Sequence, residues 1–166
     1  KGIVFVTDTD TEVVIQSIEY WGLRKALSKF HGMFAFALWD TQQNLLTLVR
    51  DKMGEKPLYY GWHKDKFMFA SELKAFKSHP EWSLSVDRNA LSELLRYNYI
   101  PSPLTIYSGV KKLEPGSLIT FNLNNKHLEN SPEKWFDYSS IVNDPDAKYF
   151  SGSFDDATNS LDMLLN

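Results

Sequence analysis

Residues 32–76 read GMFAFALWDTQQNLLTLVRDKMGEKPLYYGWHKDKFMFASELKAF, and their alternation of apolar runs with turn residues decides the fold. Met33–Trp39 is a seven-residue apolar run rich in Phe, Asp40–Asn44 is a polar turn, and Leu45–Val49 is a second β-forming run. This order predicts a hairpin. Gly54 and Pro57 then break the chain. Leu58–Trp62 and Phe67–Ala70 follow, set to pair across His63–Lys66 as a second hairpin. Ser71 is placed to cap a short helix over Glu72–Lys77, with Glu72 in its first turn.

Side-chain alternation puts Phe34, Phe36 and Leu38 on one face of the first strand and Met33, Ala35, Ala37 and Trp39 on the other. Both faces are apolar, so the strand is expected to be central and covered on both sides. The large and small faces suit a helix on one side and a second sheet on the other.

Upstream, Thr9-Asp10-Thr11-Glu12 has the spacing of a capping box. Val14, Ile18 and Trp21 continue it as a helical stripe, predicting a helix from Asp10 to about Tyr20 that stops at Gly22. Asp10 and Glu12 then sit at the positive end of the helix dipole. Asp8, Asp10 and Glu12 also alternate like the start of a calcium loop, but Val13-Val14-Ile15 follow where such a loop needs a glycine turn and a distal glutamate. Downstream, Asp87 caps a second helix carrying Leu91, Leu94 and Leu95. Pro101 and Pro103 stiffen the loop after it. The region 122–145 is polar and reads as a turn and exposed connector, and Ser153–Leu165 has a helical pattern.

Composition is that of a globular chain long enough to bury a core: 166 residues, 43% hydrophobic and 23% charged, with eleven Phe, eight Tyr and five Trp. A net charge of −3 without a basic cluster argues against nucleic acid. No apolar run reaches the ~20 residues of a membrane helix, and no signal segment opens the chain. A cytoplasmic location is expected. There is no cysteine, so disulfides and thiolate metal sites are excluded. The four histidines, His31, His63, His79 and His127, lack metal-ligand spacing, and no metal site is expected.

GMFAFALWD (32–40), RDKMGEKPLYYG (50–61) and FASELKAF (69–76), in this order, resemble the second half of the glutaminase domain of the asparagine synthetase family, the class II glutamine amidotransferases. TDTEVVI (9–15), YIPSPLTIYSGVKKLEPGSLITF (99–121) and EKWFDY (133–138) extend the resemblance over most of the chain. It implies an α+β fold, the α/β/β/α sandwich of N-terminal-nucleophile hydrolases, present in part. It also implies that residues 1–143 are the C-terminal portion of the amidotransferase domain, with 144–166 a linker and the first helix of a synthetase domain. The domain edge is expected near Asp144–Phe150.

The family uses an N-terminal cysteine whose own amino group acts as base. With Lys1 first and no cysteine, the chain is expected to be a fragment that is inactive by itself, with no catalytic residue of its own. The parent is expected to hydrolyse glutamine and to pass the ammonia to an ATP- and magnesium-dependent amidation of aspartate. No cofactor is expected on this portion. Expected partners are glutamine, the synthetase domain of the same polypeptide and a second subunit in a homodimer, with neither nucleic acid nor membrane. Two alternatives stay open: a paralogue that amidates another carboxylate or closes a lactam ring, and a non-catalytic interaction domain.

Asp10 has two readings, a first-turn acid that stabilises its helix or, by the resemblance, the carboxylate that holds the α-amino group of glutamine. Arg50 and Asp51 read as a structural ion pair of their loop, and Ser71 and Glu72 as helix-capping residues. By the resemblance, all four are candidates for a domain interface or the route of ammonia.

Overall fold

A computed structural model describes residues 4–122, 130–144 and 150–166. The chain divides into two compact units, Lys1–Phe136 and Asp137–Asn166.

In the first unit, α1 (Asp10–Trp21) starts at Thr9, whose hydroxyl accepts from the Glu12 N–H at 3.4 Å. It stops at Gly22, whose φ of 77° admits the turn into α2 (Leu23–Lys29). The capping box is only half formed. Glu12 does not return to Thr9 but accepts from the Val6 N–H at 2.8 Å and the Thr7 N–H at 2.6 Å. Its carboxylate thus ties the incoming chain to the first turn, and the Thr7 hydroxyl bond followed by these amides holds its pKa below the usual range.

The first hairpin pairs β1 (Ala35–Asp40) with β2 (Leu45–Arg50). Asp40 Oδ1 nucleates the turn by accepting from the Gln42 and Gln43 N–H groups, both at 2.9 Å. The second hairpin pairs β3 (Tyr59–His63) with β4 (Lys66–Ala70). It is followed by α3 (Lys74–Lys77), then α4 (Arg88–Tyr97), β5 (Val110–Lys112), β6 (Ser117–Asn122) and β7 (Glu133–Lys134). Every pairing is antiparallel, in sheets ordered β1-β2-β6-β7 and β4-β3-β5.

The sheets meet through alternating side chains. Leu46 and Leu48 of β2, beside Ile119 and Phe121 of β6, pack on Leu58, Tyr60 and Leu113 from the other sheet and its flanks. Phe67 and Phe121 bring their rings to 4.4 Å, and Trp62 and Tyr60 close around them. The outer face of the first sheet, Val49 and Leu118, is covered by Leu23, Leu27 and Phe30 of the α2 region. The outer face of the second is covered by Phe76 and Trp82 over Val110 and Met68. The layers are therefore helix, sheet, sheet, helix, as the large and small faces of β1 imply: Phe34 and Phe36 face the helix side and Ala35 the other sheet.

Four expectations change. Among the described residues β1 is an edge strand, and β2 and β6 are the interior ones. Ser71 caps nothing: α3 begins at Lys74 with no side-chain cap. The short helix α2 is additional. The leucine stripe of α4 is largely exposed, with Leu91 38% and Leu95 78% open, and Ala90 is the buried contact. The Asp87 cap holds, accepting from the Asn89 N–H at 2.9 Å.

The second unit contains α5 (Tyr138–Val142) and α6 (Phe154–Leu165). A complete capping box starts α6: the Asp156 N–H donates to Ser153 Oγ at 3.2 Å and the Ser153 N–H to Asp156 Oδ2 at 2.9 Å. Residues 123–129 of the polar region expected at 122–145, and residues 145–149 of the domain edge expected near Asp144–Phe150, lie outside the described residues, as does His127. No helix among the described residues is long and apolar enough to cross a membrane.

Candidate functional site

An open cleft of about 730 Å³ runs along β1, a size that suits a small molecule. Asp10, Thr11, Val14 and Ile15 of α1 form one wall, and residues 33–39 form the other. Lys56, Pro57 and Ser71 complete the lining. The position follows from the edge: β1 pairs only with β2 among the described residues, so its other side is open to α1. Asp10, the first residue of α1, is exposed and has the helix N-terminus behind it. Glu12 is engaged by Val6 and Thr7, so Asp10 is the acid that α1 contributes to the lining.

Arg50 and Asp51 are buried at the end of β2, 6% and 0% exposed, and reach the cleft lining through the main chain of Lys56. Arg50 projects between the sheets and donates through Nε to the Lys56 carbonyl at 2.8 Å, through Nη1 to the Leu113 carbonyl at 2.5 Å and through Nη2 to the Gly54 carbonyl at 2.5 Å. Asp51 accepts from the N–H groups of Met53, Glu55 and Lys56 at 3.1, 2.9 and 2.9 Å. The two charges are satisfied by loop main chain, as buried charges must be. Burial pushes the Asp51 carboxyl up, but the amides of Lys56, Glu55, Gly54 and Met53 outweigh it and hold the pKa below the usual range. Burial lowers the Arg50 pKa, and Asp51 partly restores it.

The consequence is a rigid 51–57 loop. Gly54, with φ 70°, sits where a Cβ would lie 2.7 Å from the Pro115 ring. The Gly116 N–H donates to the Asp51 carbonyl at 2.7 Å and Trp135 Nε1 to the Arg50 carbonyl at 3.1 Å, locking the loop to the β6 region. Of the residues singled out by sequence, Asp10 and Ser71 thus come to the cleft and Arg50 and Asp51 to its foundation. Glu72 stands exposed, paired with Lys74 at 2.6 Å. Lys56 and Pro57 were not singled out. A lysine in a loop has no periodic signal, and Pro57 reports only an extended residue before it.

Among the described residues, no group of three or more His, Asp or Glu side chains could hold a metal ion.

Two facing antiparallel sheets between helices, with an open cleft beside one edge, are the arrangement of the N-terminal-nucleophile hydrolase fold. The solved structure of glutamine phosphoribosylpyrophosphate amidotransferase from B. subtilis, complexed with ADP and GMP, superposes with a TM-score of 0.55 over 81% of this chain and 24% of that one. At 22% identity it bears on the fold. Residues 1–135 match the family model of the glutamine amidotransferase domain, and the chain belongs to that family. Two similar relatives from Bacillus subtilis (strain 168) are named asparagine synthetase [glutamine-hydrolyzing] 1 and 3. They are 39% and 37% identical over 72% and 74% of this chain. The chain spans only about a fifth of their length, 19% and 20% respectively.

Proposed function

We propose that this chain is the glutamine-contacting portion of a glutamine-hydrolysing asparagine synthetase, acting in the cytoplasm within a longer polypeptide. The observation that carries the reading is Asp10, an exposed carboxylate on a cleft of substrate size in a chain of the amidotransferase family. An ionised carboxylate there would accept from the α-ammonium of glutamine, a charge-assisted bond with a three-donor partner.

In this reading the chain binds and orients while other residues cut. It has no cysteine, so the thiol that attacks the side-chain amide comes from outside these residues, and the chain alone releases no glutamate from glutamine. The ammonia is then used to amidate aspartate. Arg50 and Asp51 hold the loop that walls the cleft, and Ser71 and Glu72 stand at the following corner, where a passage or domain contact would form. Water exclusion along such a passage would keep ammonia unprotonated. ATP and magnesium supply the activation of the acceptor carboxylate in the synthetase part, and a homodimer would be formed by the complete polypeptide.

The test is the product made by the complete polypeptide from glutamine, ATP and magnesium. Asparagine from aspartate supports the reading. Amidation of another carboxylate but not aspartate would replace the acceptor, and no glutamate release would overturn the glutaminase assignment.

A further inference from the structure

The chain leaves the first unit through residues 133–136, and Asp137 opens the second. This exit is thinly held. Its strand, β7, has only two residues, Glu133 and Lys134, both exposed at an edge of the first sheet beside β6. Glu133 pairs with Arg24 of α2 at the surface. Few main-chain bonds and little buried apolar area mark a segment that opens locally while the rest of the fold stays intact.

Trp135 is the strong point of this exit. Its ring stacks on Phe34 with centroids 6.0 Å apart, and its Nε1 donates to the Arg50 carbonyl at 3.1 Å. The other side of the same peptide, the Asp51 N–H, donates to the Phe34 carbonyl at 2.9 Å. One indole therefore engages both the peptide joining the two buried charges and Phe34, a residue of the cleft lining.

Main chain completes the junction. The Gly116 carbonyl accepts from the Trp135 and Phe136 N–H groups at 2.9 and 3.1 Å, and the Gly116 N–H donates to the Asp51 carbonyl at 2.7 Å. A Cβ on Gly116 would lie 2.5 Å from the Phe136 carbonyl oxygen, so bare backbone makes this approach possible. From the loop, Lys52 sets its ammonium 5.2 Å from the centroid of the Phe136 ring.

We propose that residues 133–136 form a strap that opens together with the 51–57 loop, and that Trp135 is its latch. A seated strap keeps the loop rigid, whereas drawing the chain off at Asp137 loosens it and, through Lys56, the cleft wall. The device is indifferent to what the cleft binds and stands apart from the glutamine reading.

The test is native-state hydrogen exchange on the 166-residue chain, read amide by amide. The Trp135, Phe136, Asp51 and Gly116 amides should share one opening equilibrium. Trp135→Phe keeps an aromatic ring against Phe34 and removes the indole donor. It should lower the protection of all these positions by a common factor of about three to ten, the range of one hydrogen bond. Lys52→Gln, made from the loop side without touching Trp135, should lower it about two- to fivefold through the lost cation–π contact. The Asp87 and Lys112 N–H groups donate to the Ile106 and Pro103 carbonyls, both at 2.9 Å, outside strap and loop. Their protection should not change in either variant.

Loss of protection at Trp135→Phe and Phe136 with Asp51 and Gly116 unmoved would separate strap from loop and overturn the proposal. Equal loss at the Asp87 and Lys112 amides would do the same, since it marks a merely structural residue whose removal destabilises the whole fold. So would no loss at any position.

Discussion

Arg50 and Asp51, neighbours at the end of β2, grip the same residue from opposite sides: Arg50 Nε bonds the Lys56 carbonyl at 2.8 Å and Asp51 Oδ2 receives the Lys56 N–H at 2.9 Å. The strand end, the 51–57 loop and the cleft wall are therefore one rigid piece. Removing either charge leaves its neighbour buried beside a loosened loop. Asp51→Asn keeps the shape but replaces an anionic acceptor with an amide. A loss of about 3–5 kcal/mol is expected in urea unfolding, the usual cost of breaking up a buried charged arrangement. Asp10→Asn, at an exposed position, serves as the control and should change stability by less than ~1 kcal/mol.

The same carboxylate sets an acid limit. Its pKa is lower folded than unfolded, so the unfolded chain binds more protons in this range. Its stabilisation is fully present above the unfolded aspartate value of about 3.9 and fades as pH falls through the folded value. Urea midpoints measured downward from pH 6 should fall more steeply below about pH 4 in the wild type than in Asp51→Asn. Parallel profiles would remove Asp51 as the source.

Much of this was legible in the sequence, and the reasons differ by element. Both central hairpins follow from alternation and from turn chemistry at Asp40–Asn44 and His63–Lys66, and α1 follows from Thr9 and Gly22. The edge position of β1 did not follow, because side-chain alternation reports what covers a strand's faces. Pairing within the sheet is made by main chain, which Phe and Ala carry alike. Ser71 satisfied a capping pattern, yet it lines the cleft, and the helix begins at Lys74 with no side-chain cap. That Lys56 lines the cleft was not legible, because the two buried charges that hold its main chain reach it only in three dimensions.

Gly61 sits where β3 meets β5, and a Cβ there would lie 2.3 Å from the Gly109 carbonyl oxygen. Backbone cannot yield as a flexible side chain can. Gly61→Ala is expected to cost about 1–3 kcal/mol by overpacking and to weaken protection in hydrogen exchange of the Leu113 amide, which donates to the Leu58 carbonyl at 2.9 Å at the end of the same pairing. Unchanged stability would mean that β5 can shift freely.

Thr47 and Thr120 face each other across β2 and β6 with their hydroxyl oxygens 2.9 Å apart. Thr47→Val alone strands the Thr120 hydroxyl and should cost roughly 1–2 kcal/mol. The double substitution with Thr120→Val should recover most of that loss, because an apolar pair leaves nothing unsatisfied. A cycle with additive losses would show that this hydrogen bond contributes no coupling.

The most direct test of glutamine capture by Asp10 compares two nitrogen sources in the complete polypeptide. Under the proposed function, added ammonium salt bypasses the cleft along β1, whereas glutamine must enter it. Asp10→Asn should lower glutamine-dependent product formation at least about tenfold, as expected for loss of a charge-assisted bond, and leave the ammonium-dependent rate as in the wild type. Equal rates with glutamine in the variant and the wild type, or equal losses with both nitrogen sources, would contradict it.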